Sequence, residues 1–121
     1  MFPPVFSLAS ASNPVKAIFG TNPIRIYPFG EAPQGVMVTY AVWQSIGILP
    51  ENYLNDNPDA DQMSCQIDVY GAGAKVVREG AQALRDLYQQ SAYVTDMREW
   101  AKDEQTNLYR YQLDVDFWVY R

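Results

Sequence analysis

Apolar and polar positions follow three different rhythms along this chain. Over residues 108–120 the period is two. Tyr109, Tyr111, Leu113, Val115, Phe117 and Val119 take one side, and Arg110, Gln112, Asp114 and Asp116 the other. Successive strand side chains point to opposite faces, so this spacing predicts a strand with one buried face. Residues 63–70 repeat the pattern, with Met63, Cys65, Ile67 and Val69 opposed to Ser64, Gln66, Asp68 and Tyr70. Over residues 74–90 the period lengthens. Val77, Ala81, Leu84, Leu87 and Tyr88 recur at helical spacing, while Lys75, Arg78, Glu79, Gln82, Arg85, Asp86 and Gln89 fill the other side. That stripe predicts an amphipathic helix lying on a sheet. Burial of each large member contributes on the order of 1.5–3 kcal/mol. Residues 36–48 are β-rich and apolar on both sides, with Val36, Val38, Tyr40, Val42 and Ile46 on one and Met37, Ala41 and Trp43 on the other. A half-exposed strand alternates cleanly, so this strand is expected to be covered on both faces.

Shorter signals complete the pattern. Residues 3–12 read as a first helix, with Pro3 or Pro4 in its first turn and Val5, Leu8 and Ala9 sharing a side beside Phe6. Ser12-Asn13-Pro14 caps a second helical piece that carries Val15, Ile18 and Phe19 and ends at Gly20. Residues 24–27 form a short strand stopped by Pro28, and 29–35 a loop. Residues 49–61 are a polar break, 93–100 a strand and 103–107 a turn. The order α-α-β-β-β-α-β-β predicts an α+β fold: a mostly antiparallel sheet with helices packed on one face. One domain spanning residues 1–121 is expected.

Composition narrows the chemistry. The net charge is −5 and the pI about 4.5. Nine basic residues are scattered without a run. Tight binding of free duplex DNA is disfavoured, because that affinity rests on neutralising phosphates. There is no histidine, which excludes Ser-His-Asp and Cys-His catalysis and imidazole metal ligands. The one cysteine, Cys65, lies in a strand and reads as a small buried hydrophobe. No stretch approaches 18 consecutive apolar residues, so no spanning helix and no membrane partner is expected. Met-Phe-Pro-Pro has neither the basic start nor the apolar core of a secretory signal, so the chain is expected to be cytosolic when made.

The candidate sites are weak as chemistry. Asn55, Asn57 and Asp59 have calcium-loop spacing, but Ala60 and Gln66 occupy the positions that need Gly and Glu. Asp68, Asp114 and Asp116 lie on outward strand faces, and nothing nearby forms the apolar pocket that raises a catalytic carboxylate's pKa. They read as a solvated acidic face. Gly71-Ala72-Gly73 precedes a helix without the Lys-Ser/Thr of a phosphate loop, so a strand-to-helix turn explains it. The aromatics carry more. Trp43, Trp118 and Tyr120 are expected on the face opposite the helices and, with Met37, as subunit contacts. Coverage by the chain's own loops is the competing account.

The run Arg25-Ile-Tyr-Pro28, then Ala32-Pro-Gln-Gly35, Thr39-Tyr-Ala-Val-Trp-Gln44 and Gln66-Ile-Asp-Val-Tyr-Gly71, resembles the tail terminator, or tail completion, proteins of long-tailed, non-contractile (siphovirus-type) bacteriophages. The resemblance covers roughly residues 5–121, and its motifs are structural. It implies a virion protein of the tail and neck, assembled in the host cytoplasm, with no cofactor and no catalytic role. It implies a homohexameric ring that docks on the tail tube protein, stops tube growth and meets the head completion, or stopper, protein of the neck. Genomic DNA passes through in transit only. On that reading Glu31 and Gln34 in one loop, and Glu51, Tyr53, Asp56 and Asp59 in the other, are docking elements. Asp68, Asp114 and Asp116 then line the lumen. The alternatives are a small monomeric binding or adaptor domain and, less well supported, an enzyme.

Overall fold

The computed structural model describes residues 3–21, 24–33, 38–50 and 60–120, with side chains at all of these but 48–50, 60–61 and 119–120. Three helices and five strands follow one another as α1 (Val5–Ser10), α2 (Asn13–Phe19), β1 (Ile26–Pro28), β2 (Tyr40–Pro50), β3 (Ala60–Gly71), α3 (Ala74–Tyr88), β4 (Tyr93–Trp100) and β5 (Tyr109–Tyr120). The strands form one sheet in the order β1-β2-β3-β5-β4. Every pairing is antiparallel except β1 with β2, which is parallel. The α+β architecture and the element order are those expected from the sequence.

The helices cover one sheet face. On that side Cys65, Ile67 and Val69 of β3 and Leu113, Val115 and Phe117 of β5 meet Val77, Ala81, Leu84 and Tyr88 of α3. Val5, Ala9, Val15 and Phe19 from α1 and α2 complete the core. Tyr88 stands edge-on to Phe117, with ring centroids 5.4 Å apart. The Ser12 hydroxyl accepts a hydrogen bond from the Val15 amide at 3.4 Å and so caps α2. Gly20 closes that helix at φ 86°, a backbone state that favours glycine. Gly71 has a different reason. A Cβ there would lie 2.8 Å from the Val77 side chain and 2.9 Å from Thr39 Oγ1. The glycine lets β3 pass into α3 at close approach, and the turn reading of residues 71–73 is sufficient.

Arg25 ties the parallel corner together. Its Nε donates to the Thr39 carbonyl and its Nη2 to the Ile18 carbonyl, each at 2.9 Å. One side chain thus joins the end of α2, the approach to β1 and the start of β2.

Three expectations need correction. Trp43 is not outward. It pairs with Ile67, shares the helix face with Ala41, and is 7% exposed. The parity of β2 is set by register with β3, and an apolar pattern on both sides does not reveal which side faces the helices. Nor is β2 covered on both faces: Ile46 is exposed where a bulge between Ser45 and Gly47 shifts the register, and Val38, just ahead of the strand, is exposed as well. The polar break is also shorter than 49–61, because Leu49 pairs with Gln62 and Pro50 with Asp61.

Candidate assembly surfaces

The sheet face away from the helices is a cross-strand polar network rather than a solvated acidic wall. Asp68 is 7% exposed. Its Oδ1 lies 3.1 Å from both Nε and Nη2 of Arg110, and its Oδ2 accepts from Gln66 at 3.0 Å. Register explains this: Asp68 pairs with Gln112 and Tyr70 with Arg110, so Arg110 is the diagonal neighbour of Asp68. Asp116 accepts from the Ser64 hydroxyl at 2.7 Å and from Gln62 at 3.0 Å. Asp114 accepts from Gln112 at 3.2 Å, and Gln112 accepts in turn from the Trp100 indole at 3.2 Å. Asp114 and Asp116 are half-buried. Each of the three acids predicted for this face is on it, and Asp68 is neutralised there.

One end of the same face carries a row that crosses all five strands. The Tyr27 ring lies 6.4 Å from that of Tyr40, which stacks on Tyr70 at 5.3 Å. Arg110 follows in register and sits 4.8 Å above Trp100. Burial raises the pKa of Tyr40. Burial does the same for Tyr70, with the Asp68 charge adding to it.

The two sheet edges differ. At the β1 edge, Pro3, Pro4, Phe6, Ser7, Ile26, Pro28 and Trp43 line an open apolar groove of about 530 Å³. Trp43 keeps a little surface at its floor. Phe6 is 48% exposed at the groove and Phe29 is 70% exposed just beyond Pro28. At the β4 edge, Tyr93 is 67% exposed, with its ring 5.5 Å from that of Trp118. Trp118 is half-buried on the face away from the helices. Among the predicted contact and docking residues, Glu31 is exposed. Met37, Gln34, Glu51, Tyr53, Asp56 and Asp59 lie outside the described residues, as does the Tyr120 side chain.

Sequence reasoning missed Phe6, Phe29 and Tyr93. The signal for Phe6 was its place off the Val5, Leu8 and Ala9 stripe.

Nothing in the described geometry assembles catalytic chemistry. Among the described residues no cluster of three or more Cys, Asp or Glu is placed to hold a metal. Burial pushes the Cys65 thiol up to about 12, which makes it a poor nucleophile. No described helix is long and apolar enough to cross a membrane.

Residues 3–120 match the family described as Tail completion protein gp17. Among solved structures, a chain of a structure titled "Virion of native gene transfer agent (GTA) particle" superposes with a TM-score of 0.63 at 16% identity. The superposition covers 97% of this chain and 92% of that one. At that identity the likeness concerns the fold. A comparison with curated proteins gives no match.

Proposed function

The chain belongs to the family of tail completion protein gp17, and from that premise we propose that it closes the tail tube as a ring, most simply of six copies. Membership makes it a structural protein of a phage-type tail with a place in the virion. In the finer reading the ring docks on the last layer of tube subunits and ends tube polymerisation. Its other side offers the joining surface for the head completion protein of the neck, and its lumen passes the genome. The chain does no chemistry in this role.

The supporting observation is the pair of unlike aromatic surfaces at opposite edges of one sheet. A contact between unlike patches is head-to-tail, and it closes into a ring when its rotation divides the circle. The sheet face with Asp114 and Asp116 is the candidate lumen wall. It bears Asp68, Asp96, Asp114 and Asp116 against Arg98 and Arg110. A mildly acidic surface of internally satisfied groups repels phosphates without holding them. The segments 29–35 and 49–61, expected from the sequence to be loops, are the candidate docking elements for tube and neck.

Electron microscopy of particles made with and without this chain tests the proposal. Its loss is expected to give unjoined tails of uncontrolled length, and its presence a ring at the head-proximal end. Tails of normal length that join heads without the chain would refute it.

A further inference from the structure

The two edges of the sheet differ in what they offer a neighbouring strand. At β1, Arg25 and Phe29 bond to β2, so Ile26 and Pro28 turn their backbone groups outward. The Ile26 amide is already bonded to the Ile24 carbonyl at 3.0 Å, and Pro28 has no amide hydrogen. No donor remains there for an added strand. At β4 donors do remain. The Phe29 amide bonds to the Trp43 carbonyl at 2.8 Å, so Trp43 faces β1. Backbone groups alternate along the register Trp43–Ile67–Leu113–Met97. Ile67 therefore bonds to β5 and Leu113 back to β3. Met97 turns its N–H and C=O to the open edge, as does Glu99 two residues on. No strand lies beyond them among the described residues.

The side chains of β4 are arranged symmetrically about Met97. Asp96 and Arg98 stand opposite Asp114 and Gln112, one residue to either side of Leu113, the partner of Met97. Tyr93 and Trp100 stand opposite Asp116 and Arg110, three residues to either side of Leu113. The bulge between Val94 and Asp96 brings Tyr93 into step. All four lie on the sheet face away from the helices. Tyr93 is 67% and Trp100 39% exposed, and the side chains of Asp96 and Arg98 are half-exposed. Charges on an edge strand ordinarily keep foreign strands out. These admit an antiparallel strand that sets a cation opposite Asp96 and an anion opposite Arg98. A second β4, rotated by half a turn about Met97, is such a strand.

We propose that β4 pairs antiparallel with β4 of a second copy, about a two-fold axis at Met97. The two Met97 residues exchange N–H···O=C bonds. Asp96 of each copy faces Arg98 of the other, in place of the 3.0 Å ion pair that joins them within one strand. Tyr93 of each copy meets Trp100 of the other. Such a contact is isologous: it joins two copies and builds no ring, so it stands apart from the ring reading. It covers Tyr93, and on that reading pairing and ring closure compete. One eight-residue strand makes an interface well below standard size, so the pair is weak and depends on concentration.

Sedimentation of the free chain tests the pairing, with Asp96→Arg and Arg98→Asp as variants. Both sites are half-exposed, and each variant is expected to melt within a few degrees of the parent. The parent is expected to sediment increasingly as a dimer as it is concentrated. Each variant alone sets like charges opposite one another and is expected to stay monomeric. Mixed in equal amounts, the two variants set arginines against aspartates and are expected to recover the dimer. Hydrogen exchange on the parent needs no variant: the Met97 and Glu99 amides are expected to slow as concentration rises. A parent that stays monomeric however concentrated overturns the pairing. So do single variants that dimerise as the parent does, a mixture of folded variants that stays monomeric, or exchange at Met97 and Glu99 indifferent to concentration. Each of these results leaves the ring reading standing, since that is decided on tails.

Discussion

The Tyr88 hydroxyl donates a hydrogen bond to the Val5 carbonyl oxygen at 2.8 Å, across 83 residues of chain and inside the core. The two residues are fully buried. The bond fastens the end of α3 to the first turn of α1, and α1 is one wall of the apolar groove. Tyr88→Phe removes the donor and leaves the Val5 carbonyl with its helical partner alone. The expected loss is about 0.5–1.5 kcal/mol, seen as a lower melting temperature. Earlier proteolysis near α1 is expected with it. An unchanged melt would mean that α1 is held by packing alone.

Arg110 and Asp68 form a second long-range tie, on the other sheet face. Arg110→Met strands a nearly buried carboxylate and is expected to cost on the order of 2–4 kcal/mol. Asp68→Asn in the same chain is expected to recover most of that. A double-mutant cycle by denaturant unfolding measures the coupling. Additive losses would show that the pair is incidental.

Stability is expected to fall in base. Burial raises the pKa of Cys65 from 9.0 to about 12, and that of Tyr88 above its ordinary 10.0. A raised folded pKa means that the folded chain holds its proton more tightly than the unfolded one does. The contribution is therefore complete below about pH 9 and is lost as pH climbs towards 12. The slope approaches roughly 1.4 kcal/mol per pH unit for each titrating group. Thermal melts from pH 7 to 10.5 check it, with Cys65→Ala expected to show a shallower fall.

Asp114→Lys/Asp116→Lys tests the proposed lumen wall. Tails are expected to assemble, and genome ejection to slow, most strongly at low salt, where the charges are least screened. Asp116 also anchors Gln62 and Ser64, so a modest loss of stability is expected alongside. Parental ejection kinetics at low salt would remove these two aspartates from the lumen.

Much of the scaffold was legible in the sequence. The inward sets of β3 and β5 and the stripe of α3 follow from periodicity alone, because each of these elements is polar on its other side. Trp43 defeated the same logic, since β2 is apolar on both sides and only pairing with Ile67 orients it. The parallel pairing of β1 was equally invisible, because three residues hold too little pattern. Asp68 read as solvated because its partner is diagonal in a register that one strand does not encode. The role of Arg25, two backbone carbonyls joined by one guanidinium, had no sequence signal. The groove needed α1 and β1 brought together before it existed.

The strand order β1-β2-β3-β5-β4 bears on when a subunit becomes competent. Chain order and spatial order part at β5, which inserts between β3 and β4, and β4 pairs with no other strand among the described residues. During synthesis, β1, β2, β3 and α3 all emerge before the strand that completes the core beneath α3. Until residues 109–120 are in place, β4 has no described strand to pair with, and the core beneath α3 lacks Leu113, Val115 and Phe117. The last strand to be made therefore completes the sheet and the core in one step.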